Sequence, residues 1–162
     1  LFPYTTLFRS FALCTLAGHM QKAQALWTAL GCEVRVMSPQ THDTAFAAIS
    51  HLPHLLAFAM MQSVTQQAQA DTFLGIAGPG FRDFTRIAAG DPAMWRDILL
   101  ANKAEVLAQA AQFKQAVQAF EQVLQAGDAP ALQAMIEAAS TARAQCRFNQ
   151  PAATCTAPSA NA

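Results

Sequence analysis

Most of the side chains that could do chemistry in this 162-residue chain sit in two short segments. One is GPGFRDFTRIAAGDPAMW, from Gly78 to Trp95, in which Arg82 and Arg86 stand at i and i+4 behind a glycine-rich turn and ahead of an aromatic. Arginines one helical turn apart project from one face. Glycines such as Gly80 let a backbone approach a ligand and leave the first amides of the following helix free, so the segment has the build of a carboxylate-binding face. The competing reading makes Arg82 and Asp83 solvated surface charges and pairs Arg86 with a neighbouring acid. The other segment, HDTAFAAISHLPHLLA, holds His42, His51 and His54. Asp43, Ala47, Ser50, His51 and His54 recur at steps of three and four, so Ser50, His51 and His54 can look into one cleft. His51 and His54 are open to three chemistries: a zinc pair, structural imidazoles bonded to carbonyls, or ligand-binding imidazoles acting beside Arg86. No Glu stands between them in the HExxH manner and no cysteine lies near, so no metal site is expected.

The same glycines invite comparison with a dinucleotide fingerprint, and the comparison fails. Gly78 and Gly80 fit the first two positions of GxGxxG, but the third falls on Asp83, and no Val/Ile-rich strand pattern precedes them. A phosphate loop of the Walker type needs a Lys after its last glycine, where this chain has Phe81.

The elements that must position these residues are almost all helices. Met20, Ala23, Leu26, Trp27 and Leu30 predict a helix over about 19–30, closed by Gly31 and followed by a short strand, Val34 to Met37. One strand has no backbone partner, so the rest of its sheet is expected outside this chain. Beyond Ser38, Pro39 and Gln40 everything reads as helix: about 41–69, 80–88, 91 or 92 to about 125 with a break near Ala101 or Asn102, and 128–145. Asp91 before Pro92, and Asp128 shortly before Pro130, are N-cap pairings, and Gly127 closes the helix ahead of Asp128. Pro53 inside the histidine helix removes an amide and presses on the carbonyl of Ile49, a kink that costs about 3 kcal/mol. Val106, Ala110, Phe113, Val117, Phe120 and Leu124 alternate steps of four and three, the pattern of a helix-packing seam.

Composition bounds the rest. The chain is 53% hydrophobic and 12% charged with zero formal net charge, enough apolar matter for one ordinary core and no basic excess for a nucleic acid. The apolar run from Leu52 to Met61 is interrupted by Pro53 and His54 and is too short for a bilayer span, so a soluble protein without a membrane partner is expected. Cys14, Cys32, Cys146 and Cys155 have no metal-ligand or CxxC spacing, which fits reduced thiols in the cytoplasm. Low charge with several apolar helix faces points to a homodimer. Residues 1–10, LFPYTTLFRS, share none of the later periodicity and read as adapter or vector-derived sequence, and 149–162 read as a disordered tail.

Taken together, HDTAFAAISHLPH followed by GPGFRDFTRIAAGDPAMWRDILLANK resembles the C-terminal half of the prephenate and arogenate dehydrogenase family, over about residues 19–126. That resemblance implies a mainly α fold: an all-helical dimerisation and substrate domain over 40–148, with residues 11–39 as the last helix and strand of a truncated Rossmann domain that would bind NAD or NADP. It implies oxidative decarboxylation of prephenate or arogenate, in a cleft between the two domains, with the family's catalytic base in the missing domain and the fragment inactive alone. By resemblance Arg86 would bind a substrate carboxylate in bidentate fashion, His54 would contact substrate and Trp95 would shape the pocket wall, with His51, Ser50 and Arg82 in supporting roles and Thr85 and Asp83 behind them. Pro79 stands where many members have a second small residue. The alternative from the residues alone is a helical interaction module without chemistry.

Overall fold

A computed structural model of the chain describes residues 17–146. The expectations for residues 1–10 and 149–162, and those for Cys14 and Cys155, lie outside the described residues. Helices follow one another: α1 (Ala17–Ala29), α2 (Pro39–Phe46), α3 (Leu52–Thr65), α4 (Ala70–Gly75), α5 (Pro79–Thr85), α6 (Pro92–Ala101), α7 (Lys103–Ala126) and α8 (Ala129–Gln145). The described residues fall into two compact units that divide between Ala110 and Ala111.

Helix α1 ends where its glycine requires. Gly31 takes φ +79°, Cys32 N–H donates to the Trp27 carbonyl at 3.0 Å and Gly31 N–H to Thr28 at 2.9 Å, the paired bonds of a left-handed C-cap. The strand expected over Val34 to Met37 does not form; residues 32–37 carry no regular structure. An isolated extended segment has no second strand to take its amides and carbonyls, and the described residues supply none.

The histidine helix starts two residues earlier than its periodicity suggests, because Ser38 caps it. The Ser38 Oγ accepts from Thr41 N at 3.0 Å, and Pro39 fills the first turn where its missing N–H costs nothing. Helix runs unbroken to Thr65, but not uniformly: Ala47–His51 is a wider π-helical turn, with Leu52 N–H reaching back to the Ala47 carbonyl. Pro53 follows at once. The wider turn is how the helix absorbs a residue whose ring would press on the preceding turn, so the expected interruption appears as an insertion rather than a break. By length and composition alone Pro39–Thr65 could cross a membrane. It carries His42, Asp43, His51 and His54, and α3 packs against α4, α5 and the turn after α5, as a central helix does.

Gln66–Gln69 form turns rather than the last turn of that helix, and the short α4 stands where no element was expected. Helix α5 tightens into a 3-10 turn over Arg86–Ala89. The break near Asn102 is real: α6 ends at Ala101 and α7 begins at Lys103. In the first unit the buried residues are Ala47, Leu52, Ala57, Trp95, Val106 and the polar Asn102. Gln40 Nε2 and Thr44 Oγ1 donate to the two carboxylate oxygens of Glu105 at 2.9 and 3.1 Å, tying α2 to the start of α7. In the second unit α7 closes at Gly127 (φ +65°) with the same paired bonds, from Asp128 to Val123 and from Gly127 to Leu124, and Asp128 Oδ1 caps α8 at Ala131 N.

Candidate functional site

Trp95 is the centre around which the histidines gather. It is 8% exposed, on the first turns of α6, where Asp91 Oδ1 accepts from Met94 N at 2.7 Å and Pro92 sets the helical φ. The His54 ring lies over the indole with centroids 3.6 Å apart and planes 23° from parallel. His51 meets the same indole edge-on at 6.4 Å and 77°, and Phe58 does so at 6.4 Å and 68°. Helical spacing puts His51, His54 and Phe58 in register on one face, and the π-turn Ala47–His51 ends immediately before Leu52 and Pro53.

Each imidazole has one defined partner. His54 Nδ1 donates to the Ser50 carbonyl at 2.9 Å, which is the contact of Ser50 with the site; its hydroxyl makes no bond among the described residues. His51 Nδ1 accepts from Asn102 Nδ2 at 3.2 Å. Burial is the main reason the His51 pKa lies below its ordinary value of 6.5; charge on His42 adds to the lowering, Asp43 opposes it and His54 contributes a smaller push downward. His42 bonds Asp43 Oδ1 through Nδ1 at 2.9 Å and stacks on Phe46 at 4.3 Å, and its Nε2 is enclosed without a partner.

Two residues of this cluster escaped the reading of the sequence. A Cβ added at Gly90 would collide with Trp95 Nε1 and come within 2.7 Å of Cδ1, so only glycine leaves room for the indole. Nothing in its local pattern beside the Asp91-Pro92 cap marks it as a packing position. Asn102 is 9% exposed and also donates to the Asp43 carbonyl at 2.7 Å, joining the end of α6 to α2 and His51. A single amide between the apolar residues of ILLANKAEVL was the available signal, and it was taken only for a helix break.

The arginines occupy a different wall. Arg82 and Arg86 are exposed and line, with Met61, Asp83, Thr85, Ala88 and Ala89, an open groove of about 570 Å³ that neither the histidines nor Trp95 borders. Neither guanidinium has an ion-pair partner among the described residues, so Arg86 is not neutralised by a neighbouring acid. Asp83 and Thr85 are part of the lining; Thr85 Oγ1 is spent on the Phe81 carbonyl at 2.7 Å. Gly80 lies in the exposed first turn of the seven-residue α5, with open space where a side chain would be. Thus the residues singled out from sequence form two groups, His51, His54, Trp95 and the Ser50 carbonyl in one and Arg82 and Arg86 in the other, while Gly80 stands apart. No group of three His, Cys, Asp or Glu suited to a metal occurs among the described residues.

The sequence and the fold have counterparts among known proteins. Residues 38–138 match the family model described as prephenate dehydrogenase, dimerization domain. The chain is similar to the prephenate dehydrogenase of Bacillus subtilis strain 168, 44% identical over 72 residues that make 44% of this chain and 19% of that protein. Among solved structures it is similar to prephenate dehydrogenase from A. aeolicus in complex with hydroxyphenyl propionate and NAD+, with a TM-score of 0.75 and 32% identity over 81% of this chain and 46% of that one. Synechocystis arogenate dehydrogenase shares the fold, with a TM-score of 0.71 and 22% identity over 81% of this chain and 48% of that one. The chain therefore spans under half of each of these relatives.

Proposed function

Because the chain belongs to the prephenate dehydrogenase family, we propose that it is the helical substrate and dimerisation portion of an NAD(P)-dependent oxidoreductase acting on prephenate in tyrosine biosynthesis. In that reaction hydride leaves the ring carbon bearing the hydroxyl for the nicotinamide, the ring carboxylate departs as carbon dioxide, and its bonding pair completes the aromatic ring. The described residues offer no cradle for the dinucleotide: they contain no strand, and Gly78 and Gly80 lead into a seven-residue helix without a third glycine. The cofactor, NAD or NADP, belongs to a nucleotide-binding domain for which the relatives' greater length leaves room. What this chain contributes is binding and orientation.

The observation that carries the site is His54 seated on Trp95 with Nδ1 anchored to Ser50 and Nε2 left over. A rigid stacked imidazole can present a hydrogen-bonding atom to a ligand lying along the indole, which suits a six-membered ring bearing polar groups. Arg86, with Arg82 beside it and no internal acid to satisfy, supplies a fork for a carboxylate. In a substrate such as prephenate the carboxylate falls to the cations in the one groove, and uncharged polar groups fall to the imidazoles at the other site. Two copies of the chain would pair through their helical faces as a homodimer. The scattered cysteines, of which Cys32 and Cys146 are free thiols, support a cytoplasmic location.

The test is a chimeric dehydrogenase in which residues 38–138 replace the corresponding domain of a relative. Such a chimera should turn over prephenate. Arg86→Ala in it should raise KM about tenfold or more, since a charge-assisted bond to a carboxylate is worth about 2 kcal/mol. An unchanged KM would take Arg86 out of the site.

A further inference from the structure

His51 and His54 stand three residues apart on one helix, yet their partners demand opposite tautomers. The Ser50 carbonyl can only accept, so the His54 proton sits on Nδ1 and the lone pair on Nε2. At His51 the question turns on which end of the Asn102 amide faces it, and a second contact decides. The atom 3.2 Å from His51 Nδ1 is also 2.7 Å from the Asp43 backbone carbonyl, where an amide oxygen would bring two acceptors together. It is therefore the NH2 group, with one hydrogen for each neighbour, and His51 Nδ1 accepts. The His51 proton is left on Nε2. Both Nε2 atoms are without a protein partner, and neither is enclosed, since the one buried and unpartnered side-chain atom among the described residues is His42 Nε2.

We infer that Asn102 is a positioning residue that locks His51 as the Nε2–H tautomer, so that His51 and His54 together offer a ligand beside Trp95 one N–H donor and one lone-pair acceptor. The group that satisfies both is one that accepts and donates at once: a hydroxyl, or a water carrying the bond onward. A carboxylate accepts only and would face the His54 lone pair, which leaves carboxylate binding to the arginines. This rests on reading the Trp95 face as part of the substrate site, and it divides the polar groups of that substrate between the two places. The surroundings favour a neutral His51. His51 is half-buried, α6 brings the uncharged Trp95 and Asn102 to it, His42 and His54 flank it on its own helix, Asp43 alone favours a charge, and Glu105 at the start of α7 is engaged with Gln40 and Thr44.

The experiment is a two-bond proton–nitrogen correlation spectrum of the full chain labelled with 15N-histidine, recorded above the ordinary histidine titration range and assigned with His51→Gln and His54→Gln. His51 is expected with its proton on Nε2 and His54 with its proton on Nδ1. In Asn102→Asp the facing group becomes an acceptor, so His51 should switch to Nδ1–H while His54 stays as it was. A shared tautomer, a mixture at His51, or an unswitched His51 in a folded Asn102→Asp protein would overturn the inference. If that variant does not fold, the spectrum of the unaltered chain decides alone. Adding 4-hydroxyphenylpropionate as a probe separates the two readings: opposite tautomers with both Nε2 signals moved upholds both, and opposite tautomers with neither moved upholds the role of Asn102 while removing the substrate from this face.

Discussion

Gly90 shows how much of the site depends on an atom that is absent. Its φ of −67° is open to any residue, so glycine is there for space, not for conformation. Gly90→Ala should push Trp95 off His54 or strain the turn before α6, at a cost of about 1–3 kcal/mol. The measurement is chemical denaturation together with indole fluorescence, and an unaltered midpoint and spectrum would show that the turn yields freely. His51 makes a second prediction. Burial holds its pKa below 6.5 in the folded chain, so the unfolded chain takes up a proton first. Stability is therefore complete above the ordinary histidine value and declines as pH falls from there through the lowered folded value. Midpoints measured either side of that window should show the decline, and His51→Gln should flatten it; an equal decline in the variant would assign it to other groups.

At the scale of elements, the caps carry the boundaries and can be tested one by one. Asp91→Ala and Asp128→Ala each remove the acceptor of an N-terminal amide and should each cost about 1 kcal/mol. They should differ in consequence: Asp91→Ala loosens the turn that seats Trp95 and should alter its fluorescence, whereas Asp128→Ala should leave the indole unchanged. These boundaries were legible in the sequence because a cap is a local event, decided by a residue and the two or three amides after it. So were the C-terminal glycines Gly31 and Gly127, whose positive φ no other residue takes as cheaply. The segment Val34 to Met37 takes no regular structure for the opposite reason, since a strand depends on a partner that local pattern cannot supply. The π-turn was half visible: Pro53 announced a disturbance, but whether a helix kinks, breaks or widens depends on what lies against it. The Trp95 cluster was legible as a list of residue types and not as a geometry, because Asn102 and Gly90 act across 51 and 5 positions of sequence on side chains that helical periodicity does not relate to them.

The described residues have little interior of their own. Five of them are buried and apolar, while Leu100, Leu107, Leu124 and Ile136 are 64%, 58%, 60% and 53% exposed. The seam read along α7 is open over most of its length: Val106 is buried, but Phe113, Val117 and Leu124 face outward. An apolar stripe left in water costs about 25 cal/mol for each Å² that a partner could cover, so the homodimer proposed above would be stabilised by covering it. Two outcomes are expected. Light scattering should give about twice the 17.3 kDa of one chain, and the melting temperature should rise with protein concentration, because only the paired form is stabilised by mass action. Leu124→Asp places a charge on the open seam and should halve the mass and remove the concentration dependence. A chain that melts at the same temperature across a hundredfold dilution, at the mass of one copy, would show that the exposed faces serve something other than a second copy.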